Sequence, residues 1–469
     1  MQLVLIIAIG LSVLVSETAQ QPSMDSMHCI SAGFAICVAF AMPVVTTLTL
    51  SILVQGTLRG FDRGRSKHFW RAARLRELAP WLGLVAVAFL LLGSPFVRML
   101  GPGVGGRWLI PLISLGIPLL SAIGALAAWY PMERRMLCAT TIRRLDEGAA
   151  LQPILTRCGF VVARLRMTVL LTLAPIGIPM CIGAMAGEIA ERVRPSSGDA
   201  CMDIATLTSA VLLFALAPLL VGRALGLRVL KPGHLEARLR GLASDAGTAL
   251  RRIYIWPTGG IVANALVIGV IPGTRAVILT DRLLESLRDD EIDAVVAHEL
   301  GHIKRNHLLW FILVIIASFT LGGLLVEPCW SLLVETMPRA WIASSEDLIH
   351  LGIAFAFGLW IFGFASRRFE QQADAFAVRL LSTRQGNAAA TTEAIAAVSG
   401  ALSRVCDASG AEPSRHSWRH GSIQSRIHAV RCLQGVSLDA LRIDRIVAGV
   451  KIVSLIFATL GIVDAIGVP

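Results

Sequence analysis

Charge is scarce in this sequence. Asp, Glu, Lys and Arg make up 16% of its 469 residues, where a soluble domain carries roughly 25%. With 55% hydrophobic residues and a mean hydropathy of +0.68, the chain is too apolar to be wholly soluble. Lysine is nearly absent: Lys67, Lys231, Lys304 and Lys451 stand against a great many arginines. That bias suits a GC-rich bacterial genome, an association of composition with no physical mechanism behind it. The nine cysteines contain no C-x-x-C pair and no regular framework, which argues for free thiols. Histidine is also sparse, at ten residues, so a close pair stands out.

The net charge of +11 would suit a nucleic-acid partner if it formed a patch. It does not, because most basic residues lie between apolar runs of about 20 residues, the length that crosses a bilayer core. The runs are Cys29–Val54, Pro80–Leu100, Trp108–Tyr130, Thr168–Gly187 and Ala205–Val221, then Leu308–Val326, Leu348–Ala365 and Ile446–Val468. Leu3–Val15 is shorter and has no positive charge before it; it reads as a short first helix or a poor signal peptide, and we take the helix. Prolines inside the runs, Pro43 and Pro179 among them, predict kinks that packed neighbours tolerate. The expected fold is mainly α, with about eight or nine membrane helices.

Basic residues also orient the runs. The loops Gln55–Ala79 and Pro131–Met167 each hold seven Lys or Arg residues. Ser16–His28 has none, Glu188–Ile204 has Arg192 and Arg194, and Glu327–Asp347 has Arg339. The excess of positive charge puts the first two loops in the cytoplasm. Counting forward places Gly222–His307 and Ser366–Arg445 there too, so every long polar segment lands on one side. Cys201 and Cys329 fall in the opposite loops, where they either pair, if that compartment is oxidising, or stay free.

One stretch in the polar part carries chemistry. His298-Glu299-Leu300-Gly301-His302 sets two histidines one helical turn apart, on one face, with a glutamate between them. Both imidazoles can then reach one zinc ion, and Glu299 is placed to take a proton from a water that the metal activates. Arg251–Trp256, Asn264–Val270 and Ala276–Thr280 are β-rich, and Pro272-Gly273 is turn chemistry, so a hairpin is expected ahead of the motif. Asp281–Leu287 predicts a short helix. Asp289-Asp290-Glu291 opens the motif helix with acids at its positive end, and that helix is expected to run through His307 and on towards Leu308–Val326.

An open zinc site with two histidines needs one more protein ligand. Glu370 and Asp374 are again four apart on one helical face. Glu370 can be that ligand, while Asp374 can accept the other N–H of a ligating histidine and fix its tautomer. The rival acids Glu327, Glu335, Glu346 and Asp347 fall across the membrane. His307, five residues past His302, lies off its face and reads as a polar residue at the membrane interface.

These residues resemble the integral-membrane zinc peptidases that include the type-1 CAAX prenyl protease and bacterial HtpX. The resemblance rests on Asn264-Ala265, Asp290-Glu291, His298 through His302, His307, Glu370 through Asp374, and His420 through Arg426-Ile427, covering about Arg251 to Arg431. It implies a small α+β zincin-like module on the cytoplasmic side, with the Asn264-Ala265 strand lining the cleft. His420 and Arg426 are implied as substrate or transition-state contacts. The chain departs from the pattern with Arg288 where the family often has a helix-capping residue, and with Gly421 where it usually has proline. Five or six runs before the motif match the CAAX-protease layout better than the shorter HtpX branch.

The implied organisation is an N-terminal multi-span region (1–221), a zinc peptidase domain (222–445) that includes a transmembrane hairpin (308–365), and a last span (446–469). The implied activity is hydrolysis of peptide bonds in membrane or cytoplasmic proteins, with one zinc ion as cofactor. Its partners are a polypeptide substrate and the lipid bilayer, with no nucleic acid; the oligomeric state stays open. Main-chain pairing along Asn264–Val270 would hold the substrate with little regard to side chains. Proteolysis of the HtpX kind in a bacterial inner membrane is the favoured reading, and CAAX-type processing the alternative. A sensor or transporter with a structural zinc is a third. It fits less well, because structural sites are usually closed by four protein ligands.

Overall fold

The computed structural model describes residues 31–61, 69–94, 104–146, 154–168, 174–194, 225–260, 262–269, 272–334, 339–409, 412–439 and 441–466, with isolated positions between them. The runs Leu3–Val15 and Ala205–Val221 lie mostly outside them. The chain divides into two compact units: Met1–Val211 with Thr336–Ile349, and Leu212–Glu335 with His350–Pro469.

In the first unit, α1 (Ala32–Phe61), α2 (Phe69–Gly93) and α3 (Val104–Asp146) pack against one another. Small and branched residues meet at the contact: Ala35 and Ala39 of α1, Val87, Leu90 and Leu91 of α2, and Ile110 and Ile117 of α3. The outer faces stay apolar, with Phe34, Val44, Leu48 and Ile52 of α1 all exposed, as lipid-facing helices require. Two further helices, α4 (Arg157–Thr168) and α5 (Ala174–Val193), follow.

The second unit carries the motif. Its strands are β1 (Arg228–Val229), β2 (Arg252–Trp256), β3 (Ala265–Ile268) and β4 (Ala276–Thr280), and α6 (His234–Asp245) lies between β1 and β2. The sheet order is β1-β2-β4-β3, parallel only between β2 and β4. The expected hairpin is present as β3 and β4, joined through a 3₁₀ turn at Pro272–Thr274. All five residues of central β4 are buried. Among the described residues β3 pairs on one side only and forms a sheet edge.

Thr280 caps the short α7 (Asp281–Ser286), its hydroxyl accepting from Leu283 N–H. The motif helix α8 (Asp289–Lys304) follows, and the Arg288 N–H ahead of it donates to the buried Glu291 carboxylate at 2.9 Å. Where a cap was expected, the acid three residues on does the satisfying instead. Leu300, Val296 and Ala297 of α8 are fully buried in a core shared with the sheet and with α11 (Thr392–Ala408).

One expectation fails here. The motif helix does not run through His307: it ends at Lys304, and α9 (His307–Val334) begins after a break at Arg305 and Asn306. Asn306 has φ 53°, the left-handed conformation that asparagine tolerates and that ends helices. α9 then pairs with α10 (Arg339–Arg384) as an antiparallel hairpin. Gly322 meets Ala354 and Gly358, Val314 clusters with Ala365, and Phe311 packs on Phe369. α12 (Ile423–Arg431) and α13 (Arg442–Ile466) complete the unit, with α13 packed against α9.

Among the described residues, four segments are long and apolar enough to cross a membrane: Ala32–Gly60, Leu112–Cys138, His307–Leu332 and Arg442–Val463. Each overlaps a run expected from the sequence, and the chain is a membrane protein on this ground. Cys201 and Cys329 are both free.

Candidate metal centre

Two helices build the site. α8 supplies His298, Glu299 and His302 from successive turns. α10 returns along α9 and continues unbroken into Phe369-Glu370-Gln371-Gln372-Ala373-Asp374, so that Glu370 and Asp374 reach α8. The crossing is close because position 301 is glycine. A Cβ there would lie 3.2 Å from Ala373 Cα and 3.1 Å from Phe376 Cδ1.

Three donor side chains converge at the crossing. His298 Nε2 and His302 Nε2 are 3.2 Å apart. Glu370 Oε2 lies 3.7 Å from the first and Oε1 lies 3.8 Å from the second. Ligands about 2.1 Å from a tetrahedral zinc are separated by roughly 3.4 Å, so this spacing fits one such ion. The donor set fits as well. The Asp374 carboxylate stands 2.9 Å from His298 Nδ1, which favours the proton on Nδ1 and leaves the Nε2 lone pair facing the cluster. A nitrogen lone pair and a carboxylate aimed at one buried point call for a cation between them.

Arg426 of α12 anchors the carboxylates. Its Nε and Nη2 donate to the two oxygens of Asp374 at 2.8 and 2.7 Å, a bidentate pairing. Its Nη1 sits 3.2 Å from Glu370 Oε2. Arg426 is buried, so its guanidinium lies beneath the donor cluster. His420, with 50% of its side chain exposed, places Nδ1 3.0 Å from Glu370 Oε1. Its loop is tied to α10 by Arg367 Nη1, which donates to the Trp418 carbonyl at 2.6 Å. Gly421 has φ 74°, which a proline ring cannot adopt, so the departure from His-Pro changes the turn itself. Asn264 stands just before β3, its N–H donating to Thr280 Oγ1.

Electrostatics sort these groups. Burial pushes the Glu299 carboxyl up, with the neighbouring Glu370 charge adding to it against His298. Burial works the same way on Glu370, but Arg426 and His420 outweigh it and hold that carboxyl well below its usual range. Asp374 is likewise brought down to about 2 by Arg426 against the effect of burial. Burial, aided by His298, holds His302 well below its ordinary value and therefore neutral. The surroundings thus favour the ionised forms of Glu370 and Asp374 and the neutral form of His302, and they make the Glu299 carboxylate a stronger base.

The sequence does not place His307 beside His302. The break at Asn306 turns it back under the motif, where its Nδ1 lies 2.9 Å from His302 Nδ1 and its ring is fully buried. Its ring is packed inside the protein, at the first residue of the apolar segment His307–Leu332. The signal was available: asparagine directly before His307 is the residue type that ends helices in the left-handed conformation. Gln372 and Asp444, which continue this contact, carried no spacing that set them apart.

Residues 230–433 match the family described as Peptidase family M48. A CAAX prenyl protease 1 homolog of Arabidopsis thaliana is 35% identical over 162 residues, which are 32% of this chain and 38% of that protein. A Protease HtpX homolog of Thermococcus sibiricus is 36% identical over 93 residues, 20% of this chain and 30% of that protein. The chain therefore aligns with only about a third of the length of each relative. The crystal structure of S. mikatae Ste24p overlays with a TM-score of 0.47 and 18% identity, covering 84% of this chain and 98% of that one. The resemblance implied by the motifs is borne out. The segment matching Peptidase family M48 is the one that holds His298, Glu299, His302, Glu370, Asp374, His420 and Arg426.

Proposed function

We propose that this chain is a membrane-embedded zinc metalloendopeptidase that hydrolyses peptide bonds of membrane or cytoplasmic proteins. The observation that carries the reading is the convergence of His298 Nε2, His302 Nε2 and Glu370 within 3.2 to 3.8 Å of one another, with Glu299 beside them on α8. One zinc ion held by these three would supply Lewis-acid activation of a water and of the scissile carbonyl.

The chain's own residues do the rest. Glu299, kept basic enough by burial, takes the proton of the attacking water and returns it to the leaving amine. Asp374 orients His298, and Arg426 keeps Asp374 and Glu370 ionised. His420, half exposed beside Glu370, is the residue assigned to the oxyanion. The edge strand β3, preceded by Asn264, offers main-chain groups to a substrate laid alongside as an added strand. Such recognition tolerates many side chains, which suits proteolysis of the HtpX kind.

The positive-inside pattern supports a cytoplasmic active site, and the lysine-poor composition supports a bacterial inner membrane. CAAX-type processing is the second reading, favoured by the longer match to the Arabidopsis protein. Glu299→Gln, expressed in the membrane as a trap, separates the two. Many misfolded membrane proteins retained point to broad proteolysis, and one defined partner points to processing. Retention no greater than with the unmutated chain would count against a peptidase altogether.

A further inference from the structure

His302 is backed by a closed chain of hydrogen-bonding groups that ends on a membrane helix. Its Nδ1 lies 2.9 Å from His307 Nδ1. His307 Nε2 lies 2.9 Å from Gln372 Oε1, and Gln372 Nε2 donates to Asp444 Oδ1 at 2.6 Å. Asp444, on α13, accepts at its other oxygen from Arg379 Nη2 at 2.8 Å and has Arg305 Nη2 3.4 Å away. His307 and Gln372 are buried, and the His307 ring stacks on Phe369 with centroids 4.6 Å apart and planes 7° apart.

Each link has only one polarity. Asp444, paired with two arginines, only accepts, so Gln372 turns its amide N–H groups towards it. The Gln372 carbonyl then faces His307, and a carbonyl only accepts, so His307 carries its proton on Nε2. Among the described residues its direct contacts are His302, Gln372 and the Phe369 ring, and in that buried setting without a carboxylate partner in contact it stays neutral. Its Nδ1 is therefore bare and must accept, which puts the His302 proton on Nδ1. The lone pair of His302 Nε2 is left facing His298 and Glu370.

We propose that His307, Gln372 and Asp444 are positioning residues that fix the tautomer of His302 for metal binding. α13 is thereby tied to the metal centre. The inference rests on the zinc reading above and adds a second, differently built support: His298 is oriented by a carboxylate, His302 by a neutral relay. Reversing any link would place a proton on His302 Nε2 and block it as a ligand.

The test uses the full chain in detergent micelles, with zinc affinity measured by chelator competition and the site's geometry read from the visible spectrum of the cobalt(II) form. His307→Phe keeps a ring to stack on Phe369 but removes the acceptor. His307→Asn loses the ring and keeps an acceptor near the Nδ1 position. A role in packing alone ranks Phe above Asn; the relay ranks Asn above Phe. We expect zinc binding to weaken 10- to 100-fold in His307→Phe, with an altered cobalt spectrum, and most of the affinity to return in His307→Asn. Gln372→Leu, which leaves both histidines in place, should weaken zinc in the same assay and serves if His307→Phe does not fold. Wild-type affinity in His307→Phe or Gln372→Leu, or Asn no better than Phe, overturns the proposal. If the unmutated chain and Glu299→Gln both fail to bind zinc, the zinc reading itself falls, and the relay with it.

Discussion

Removing Arg426 should damage stability and metal binding together, because one guanidinium holds two buried carboxylates. It contacts Asp374 at 2.8 and 2.7 Å and Glu370 at 3.2 Å. Against the cost of burial, Arg426 foremost and His298 after it hold Asp374 at about 2 against an ordinary 3.8, and at about 1.4 kcal/mol per unit these contacts together contribute about 2 kcal/mol net through that group. Leaving a buried charge unpaired costs more, about 3–5 kcal/mol. Arg426→Ala should therefore lower the thermal midpoint of the purified protein by about 6–20 °C, at 2–4 °C per kcal/mol for a unit of this size. The assay is a thermal scan of zinc-loaded protein in detergent, paired with chelator competition for zinc. Arg426→Lys should recover only part of the loss, since an ammonium cannot make the bidentate pair. A midpoint within about 2 °C of the wild type and unchanged zinc affinity would refute the assignment of Arg426 as an anchor.

Other outcomes follow from the same geometry. Gly301→Ala places a methyl 3.2 Å from Ala373 Cα, one residue from Asp374. It should cost about 1–3 kcal/mol by overpacking and loosen zinc by opening the α8–α10 crossing, read by the same two assays. Low pH should undo the site from the carboxylate side. Asp374 and Glu370 both have lowered values in the folded chain. Their stabilisation is therefore complete above the unfolded carboxyl range and is lost as pH falls from about 4 towards 2. Thermal scans of zinc-free protein should show that loss, and Asp374→Asn should remove part of it. His420→Ala should lower kcat for a peptide substrate about 100-fold or more while leaving zinc bound, as expected for a lost oxyanion donor.

The sequence made the local parts of this site legible. The i, i+4 spacing in His298–His302 and again in Glu370–Asp374 forecast two helix faces whose side chains meet, because the helical period alone decides which side chains share a side. The apolar runs Leu308–Val326 and Leu348–Ala365 forecast the hairpin that returns Glu370 to α8. β-rich composition and the turn chemistry of Pro272-Gly273 forecast β3 and β4. The two-residue β1 was not legible: Arg228 and Val229 form a strand only through pairing with Ile255 and Tyr254. The break at Asn306 was also missed. The hydrophobic pattern continues smoothly across it, and a single left-handed residue leaves no trace in periodicity. That one dihedral takes His307, expected as a polar residue off the His302 face, into a buried contact with His302. The resemblance implies Arg426 as a substrate or transition-state contact; its pairing with Asp374 is a tertiary contact that spacing does not encode.

The central claim is that Glu299 acts as the base beside a zinc held by His298, His302 and Glu370. It is tested most directly by Glu299→Gln in purified protein, measuring bound zinc and peptide cleavage on the same sample. The account predicts zinc retained at the wild-type level and cleavage reduced by about 100-fold or more. Cleavage at the wild-type rate by the zinc-loaded variant would contradict it.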